Sequence, residues 1–192
     1  MRDMEQAIPR GRLGWARLSA AELSIVRGFA WTARWQPTRC LAITLSWLGN
    51  GWAYLVIVAG MLLAWGWRAL PAIGVGALNA ALLHCLYPSI KRSIARQRPY
   101  RCDDTLVPLL RALDEHSFPS GHSMTLAAAL VPLVLAFPHS LTFAAVMAGL
   151  MAWARLACAH HYPSDVAAGT VLGVSVSYPI SCYALAATRL VL

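Results

Sequence analysis

Three short strings, far apart in the chain, carry residue types that handle phosphate: 91–99 (KRSIARQRP), 119–122 (PSGH) and 155–165 (RLACAHHYPSD). The first supplies fixed cations. The second sets a histidine at the start of a helix, and the third sets another histidine four residues before a carboxylate. No single string is specific. Their order, and the apolar stretches between them, make the combination so.

Each string has a physical rationale and a plainer alternative. Lys91 and Arg98 stand seven apart, nearly two helical turns, so both point one way if the helix carrying Lys91 runs on toward Pro99. Pro99 disfavours helix at Arg98 and holds that guanidinium at the helix end, where it can grip two phosphate oxygens while Lys91 adds a point charge. With Arg92 and Arg96, the same residues also read as a basic cluster drawn to anionic lipid. In the second string Ser120 is a good cap and Gly121 lets a ligand approach the backbone, so the first-turn amides form an anion site. His122 on that turn can pass a proton to a leaving oxygen. A simple capped helix start accounts for Ser120 and Gly121 but not for the histidine. In the third string a turn at Pro163 and Ser164 lets Asp165 meet one nitrogen of His161, fixing its tautomer and stabilising the imidazolium. Arg155 faces the same pocket as a third cation. Asp165 is also a natural cap for the helix that follows, and His160 points elsewhere on any regular backbone.

The elements that position these strings are membrane helices. Of 192 residues, 58% are hydrophobic and 12% charged, with a mean hydropathy of +0.55, far from the composition of a soluble domain. A bilayer core asks for about 20 apolar residues in helix. That ruler predicts five spans, near 40–67, 70–90, 121–137, 140–159 and 165–188, the first interrupted by Gly49, Asn50 and Gly51 and so open to a bend or an interfacial start. Asn79 and His84 in the second span need partners inside the bundle, and helix-to-helix hydrogen bonding is the plainer reading. Residues 18–35 show apolar side chains at helical spacing broken by Glu22, Arg27 and Arg34. They predict an amphipathic helix on the bilayer surface, with its arginines in the headgroups and Trp31 and Trp35 at the interface; a sixth, poor span is the alternative. The expected architecture is all-α: a polytopic membrane bundle of about five spans (39–192) preceded by an N-terminal segment (1–38) with an interfacial helix. That segment lacks the pattern of a cleaved signal, so the chain is expected to be retained whole. Cys40, Cys85, Cys102, Cys158 and Cys182 lack metal-ligand spacing and read as buried small hydrophobes, not disulfide partners.

With antiparallel spans, all three strings fall on one face of the membrane. The residues then resemble the type 2 phosphatidic acid phosphatases, a family that includes bacterial undecaprenyl diphosphate and phosphatidylglycerophosphate phosphatases. Its pattern is K-x6-R-P, then P-S-G-H, then S-R-x5-H-x3-D, matched here by Lys91, Arg98 and Pro99; by Pro119, Ser120, Gly121 and His122; and by Arg155, His161 and Asp165. Ala154 departs from the family's serine and removes one hydroxyl. The resemblance extends over about residues 40–188. It implies a phosphatase that works through a phosphohistidine without metal or other cofactor. His161 would attack phosphorus, Asp165 orient it, and His122 protonate the leaving oxygen, while Lys91, Arg98, Arg155, Ser120 and Gly121 hold the phosphoryl oxygens.

The substrate so implied is a lipid phosphate or diphosphate, such as undecaprenyl diphosphate, phosphatidic acid or phosphatidylglycerophosphate, with the polyprenyl compound slightly favoured. Its tail stays in the bilayer, and the loop 100–118 forms either a small flap over the headgroup or a plain connector. A phosphotransferase using the same phosphohistidine is one alternative, and a non-catalytic lipid-binding or transport protein is another; a soluble haloperoxidase with this motif does not fit the spans. Net charge +8 suits lipid headgroups better than nucleic acid, because the arginines flank membrane segments. The location is a cell membrane, the inner one in bacteria. Setting aside the three proposed ligands, 11 Lys and Arg lie on the motif face against Arg68 and Arg189 opposite. That bias points the site to the cytoplasm, whereas the resemblance points to the periplasm, and the face stays open.

Overall fold

The computed structural model describes residues 10–191, with side chains described for 17–188. Residues 1–9 of the N-terminal segment and the side chain of Arg189 lie outside the described residues. Among the described residues every regular element is helical: α1 (Arg10–Thr32), α2 (Gln36–Leu48), α3 (Trp52–Trp65), α4 (Leu70–Ile94), α5 (Pro99–Cys102), α6 (Gly121–Ala136), α7 (Leu141–Ala157) and α8 (Pro163–Val191). Short 3-10 turns, Gly66–Ala69 and Pro138–Ser140, reverse the chain after α3 and α6.

The stretch Trp52–Cys102 and the helices Pro138–Ala157 and Pro163–Thr188 are long and apolar enough to cross a membrane; Gly121–Ala136 is apolar but shorter. Leu55, Val56, Leu63, Val171 and Tyr183 are exposed, an outer surface that suits acyl chains and not water. The chain is a membrane protein.

The first expected span breaks at the interruption noted in the sequence. Residues 40–67 form two helices, because Gly49, Asn50 and Gly51 turn the chain and Gly51 takes φ 137, a conformation that side chains disfavour. With 13 residues, α2 is too short to cross a bilayer unaided. The other four expected spans coincide with α4, α6, α7 and α8.

The bundle is tightest where α6 meets α8. A Cβ at Gly169 would collide with the Ser120 carbonyl, and one at Gly173 with the Met124 carbonyl, so these two glycines let the helix backbones touch. The Ser120 amide donates to the Asp165 carbonyl at 2.9 Å, which joins the start of α6 to the start of α8. Asn79 Nδ2 donates to Ser181 Oγ at 3.0 Å, the helix-to-helix role expected of it. Leu126, Leu130 and Leu133 of α6 pack with Ile57, Met61, Val75 and Met151 in the main core.

The helix α1 gains detail, and the expectation for the cysteines changes. One face of α1 packs on the bundle: Val26 is fully buried and packs with Leu23 and Ala30 against Tyr100, Leu106, Ala159 and Tyr162, while Trp31 stays exposed. Glu22 turns inward, and Arg27 pairs with Asp103 at 2.6 Å. Of the cysteines, all free, only Cys158 is buried; Cys40, Cys85, Cys102 and Cys182 sit on the surface. Three of these four lie on apolar helices, where a surface facing lipid suits a thiol as well as a core does.

Candidate active site

A cavity of about 490 Å³ opens where the Gly49–Gly51 turn, α4 and α6 face the segment between α7 and α8, and Lys91, Arg98, Arg155, Gly121, His122 and His161 all line it. Six of the eight expected site residues therefore share one space. Ser120 and Asp165 stand behind it, both fully buried.

His161 sits in the segment after α7, where Ala159 takes φ 55 and reverses the chain before Pro163 starts α8. Its Nε2 lies 3.5 Å from Arg98 Nη1. Its Nδ1 faces Asp165 Oδ2 at 3.6 Å, an orienting approach slightly longer than a hydrogen bond. Burial first, then the guanidiniums of Arg98 and Arg155, push the His161 imidazole well below its ordinary pKa. The ring is thus neutral near pH 7. His160 turns away: its Nε2 bonds the Leu110 carbonyl at 2.9 Å.

The carboxylate of Asp165 is shared. Oδ2 accepts from the Tyr162 amide at 2.8 Å, while Oδ1 takes Arg96 Nη1 at 2.6 Å. Asp165 is the third residue of α8 and not its cap, but from that first turn it satisfies the amide of Tyr162, the residue before the helix.

Lys91 and Arg98 converge, but not by the expected route. Helix α4 stops at Ile94, Ala95 enters the left-handed region at φ 52, and Pro99 begins α5 instead of ending α4. What brings the two cations together is Asp114: Lys91 Nζ donates to both its oxygens at 2.8 Å, and Arg98 Nη2 donates to Oδ1 at 2.8 Å. Burial alone would raise the Asp114 pKa; the two cations outweigh it and hold the carboxyl below its usual range. Arg98 Nη1 also donates to the His160 carbonyl at 2.8 Å. Arg155 is buried, and its Nε finds no hydrogen-bond partner among the described residues. A buried guanidinium with an unmet donor on a cavity wall is a ready anion ligand.

At the start of α6, Ser120 acts as a cap, its Oγ accepting from the Ser123 amide at 3.5 Å and from Ser123 Oγ at 3.0 Å. It is not on the cavity wall, whereas Gly121 is. His122 Nε2 donates to the Ser46 carbonyl at 3.2 Å and to Asn50 Oδ1 at 2.9 Å. Gly49 makes that ring position possible, because a Cβ there would collide with His122 and crowd Met151.

Residue typing missed Asp114, Arg96, Glu22 and Asn50. In the sequence Asp114 is one of four acids in the loop 100–118, Arg96 one more base in a cluster, Glu22 a break in an apolar face, and Asn50 part of a turn. Their partners lie 16 to 142 positions away, so no local spacing advertises them.

A model of the PAP2 superfamily matches residues 69–189. A decaprenylphosphoryl-5-phosphoribose phosphatase of Mycobacterium tuberculosis is 33% identical over 127 residues, 66% of this chain and 67% of that one. A lipid A 1-phosphatase of Rhizobium etli is 35% identical over 88 residues, 44% of this chain and 38% of that one. In fold, the chain is similar to a transmembrane PAP2 type phosphatidylglycerolphosphate phosphatase from Bacillus subtilis, with TM-score 0.60, 24% identity and coverage of 91% and 94%.

Proposed function

The chain belongs to the PAP2 superfamily, whose members act as membrane phosphatases on lipid phosphates, and from that premise we propose that it removes the terminal phosphate of a polyprenyl-linked phosphate or diphosphate through a phosphohistidine on His161. The observation that carries the reading is the cavity itself. It gathers three cations and two histidines on a wall continuous with apolar helices, and its volume of about 490 Å³ falls within the range of small-molecule sites. A phosphoryl group fills only part of it. Asn50, Tyr54, His84, Tyr87 and Thr125 line the remainder, and their polar atoms suit the group that links the phosphate to a lipid.

In this mechanism His161 Nε2 attacks phosphorus, a nitrogen–phosphorus bond forms, and the bond to the leaving oxygen breaks as His122 supplies its proton. Lys91, Arg98 and Arg155 hold the three peripheral oxygens while charge shifts among them. Asp165 stabilises the charged ring. Water then attacks the phosphohistidine, giving a proton to His122 and releasing phosphate. Polyprenyl substrates rank first because the Mycobacterium tuberculosis relative is named for one; glycerolipid phosphates rank second.

Comparing kcat/KM for undecaprenyl diphosphate, phosphatidic acid and a water-soluble phosphate ester tests the reading. The expected order is the order just written. A clear preference for the soluble ester would refute a lipid substrate, and a preference for phosphatidic acid would overturn the ranking alone. Release of free phosphate, with no transfer to added lipid alcohol, separates hydrolysis from phosphotransfer.

A further inference from the structure

We infer that the N-terminal helix α1 is part of the catalytic apparatus, because Glu22 on α1 and the buried Arg96 act as positioning residues for Asp165. The inference rests on the reading of His161 and Asp165 given above, and adds to it a residue that lies 139 positions from the proposed nucleophile in sequence.

The contacts form a closed chain. Arg96 Nη1 donates to Asp165 Oδ1 at 2.6 Å and to Ser164 Oγ at 2.7 Å. Arg96 Nη2 donates to Glu22 Oε2 at 2.6 Å, and Nε donates to Ser19 Oγ, one turn back on α1, at 3.1 Å. Glu22 closes the circuit: Oε1 accepts the Ser164 amide and Oε2 the Ser164 hydroxyl, both at 2.8 Å. The guanidinium lies 3.9 Å over the Tyr162 ring, a residue adjacent to His161.

Charge explains why both residues are needed. Asp165 is fully buried, and a carboxylate there stays ionised only beside a cation. Arg96 is that cation. It is itself 3% exposed, and Asp165 alone leaves one side of its fork facing protein. Glu22 fills that side with a second carboxylate, fixing the guanidinium plane so that Asp165 Oδ2 is turned to Tyr162 N and His161 Nδ1. Through the Ser164 amide, Glu22 also grips the first turn of α8, which sets the height of Asp165 beneath the histidine. Only a planar group with five donors can meet Ser19, Glu22, Ser164 and Asp165 at once.

The phosphate pocket offers an internal control. Among the described residues the hydrogen bonds of Lys91 and Arg98 go to Asp114, His116, His160 and His161 and not to Glu22, so losing Glu22 should weaken the chemical step and leave anion binding alone. The test measures kcat and the Ki of inorganic phosphate for the full chain and for Glu22→Ala, Glu22→Gln and Arg96→Lys, with thermal midpoints in the same detergent. Partners of functional ligands typically matter about 10–100-fold, and we expect kcat of Glu22→Ala to fall by that much with Ki changed less than about threefold. Glu22→Gln, which keeps one acceptor oxygen for Ser164, falls less, and Arg96→Lys does not recover the parent rate. A Glu22→Ala kcat within about twofold of an active parent would overturn the inference alone. So would kcat, Ki and thermal midpoint collapsing together in Glu22→Gln as well, which would make α1 a stabilising element only. A parent that hydrolyses no lipid phosphate would sink the functional reading and this inference with it.

Discussion

Asp114 accepts from Lys91 Nζ on both of its carboxylate oxygens, each at 2.8 Å, so the free site already holds an anion against the cations proposed to bind phosphate. The same carboxylate meets Arg98. A substrate phosphoryl group must therefore displace it or share the cations with it, and either way the negative charge opposes binding.

Asp114→Asn should accordingly tighten inorganic phosphate as a competitive inhibitor. The Asp114 side chain is about one-third exposed, so solvent screens the effect to about 1 kcal/mol, or roughly fivefold in Ki. A Ki that rises would show that Asp114 organises the two cations more than it competes for them.

Gly49→Ala should slow the reaction without unfolding the bundle. Gly49 has an ordinary helical φ of −62, so alanine strains no dihedral there, but its Cβ would displace the His122 ring from Ser46 and Asn50. Misplacing one proton-transfer group costs about 10²-fold or more. Steady-state kcat with an unchanged thermal midpoint checks this, and parental kcat would show that His122 need not sit where it does.

The strings proposed to bind phosphate were legible because their residue types lie close together in sequence, as His161 and Asp165 do, although Lys91 and Arg98 meet through Asp114 and not through a continuous helix. Their support was not. The sequence places Arg96 among like charges, and only the fold shows that Asp165 and Glu22 neutralise it from two different helices. Likewise hydropathy located α4, α6, α7 and α8, and Gly49, Asn50 and Gly51 marked the break in 40–67, although an apolar count alone does not say that α2 and α3 are separate helices. The helix α1 looked amphipathic from its apolar spacing, and its inward carboxylate became intelligible only once Ser164 and Arg96 were in view.

Acid should destabilise the protein through its buried histidines. Burial, with Arg155 nearby, lowers the His160 pKa to about 3, and His161 is held well below its ordinary value. Below about pH 6.5 the unfolded chain takes up protons at both sites while the folded chain does not, so stability falls by about 1.4 kcal/mol per pH unit for each histidine. Thermal midpoints in detergent should drop from pH 7 to pH 5, and His160→Asn should flatten the slope. A midpoint that rises with acid in this interval would contradict the assignment.

In the proposed mechanism cations supply the charge that a metal ion supplies elsewhere, so turnover in detergent should persist in excess EDTA. Loss of activity with EDTA and its return with magnesium would require a different mechanism.

The central claim is that phosphate passes through His161. Enzyme quenched in alkali during turnover of a lipid phosphate, then digested and analysed by mass spectrometry, tests it most directly. The account predicts one phosphoryl adduct, on His161, that is absent from His161→Ala along with the activity. An adduct elsewhere, or His161→Ala turnover within about tenfold of the parent when loss of a nucleophile should cost far more, would contradict it.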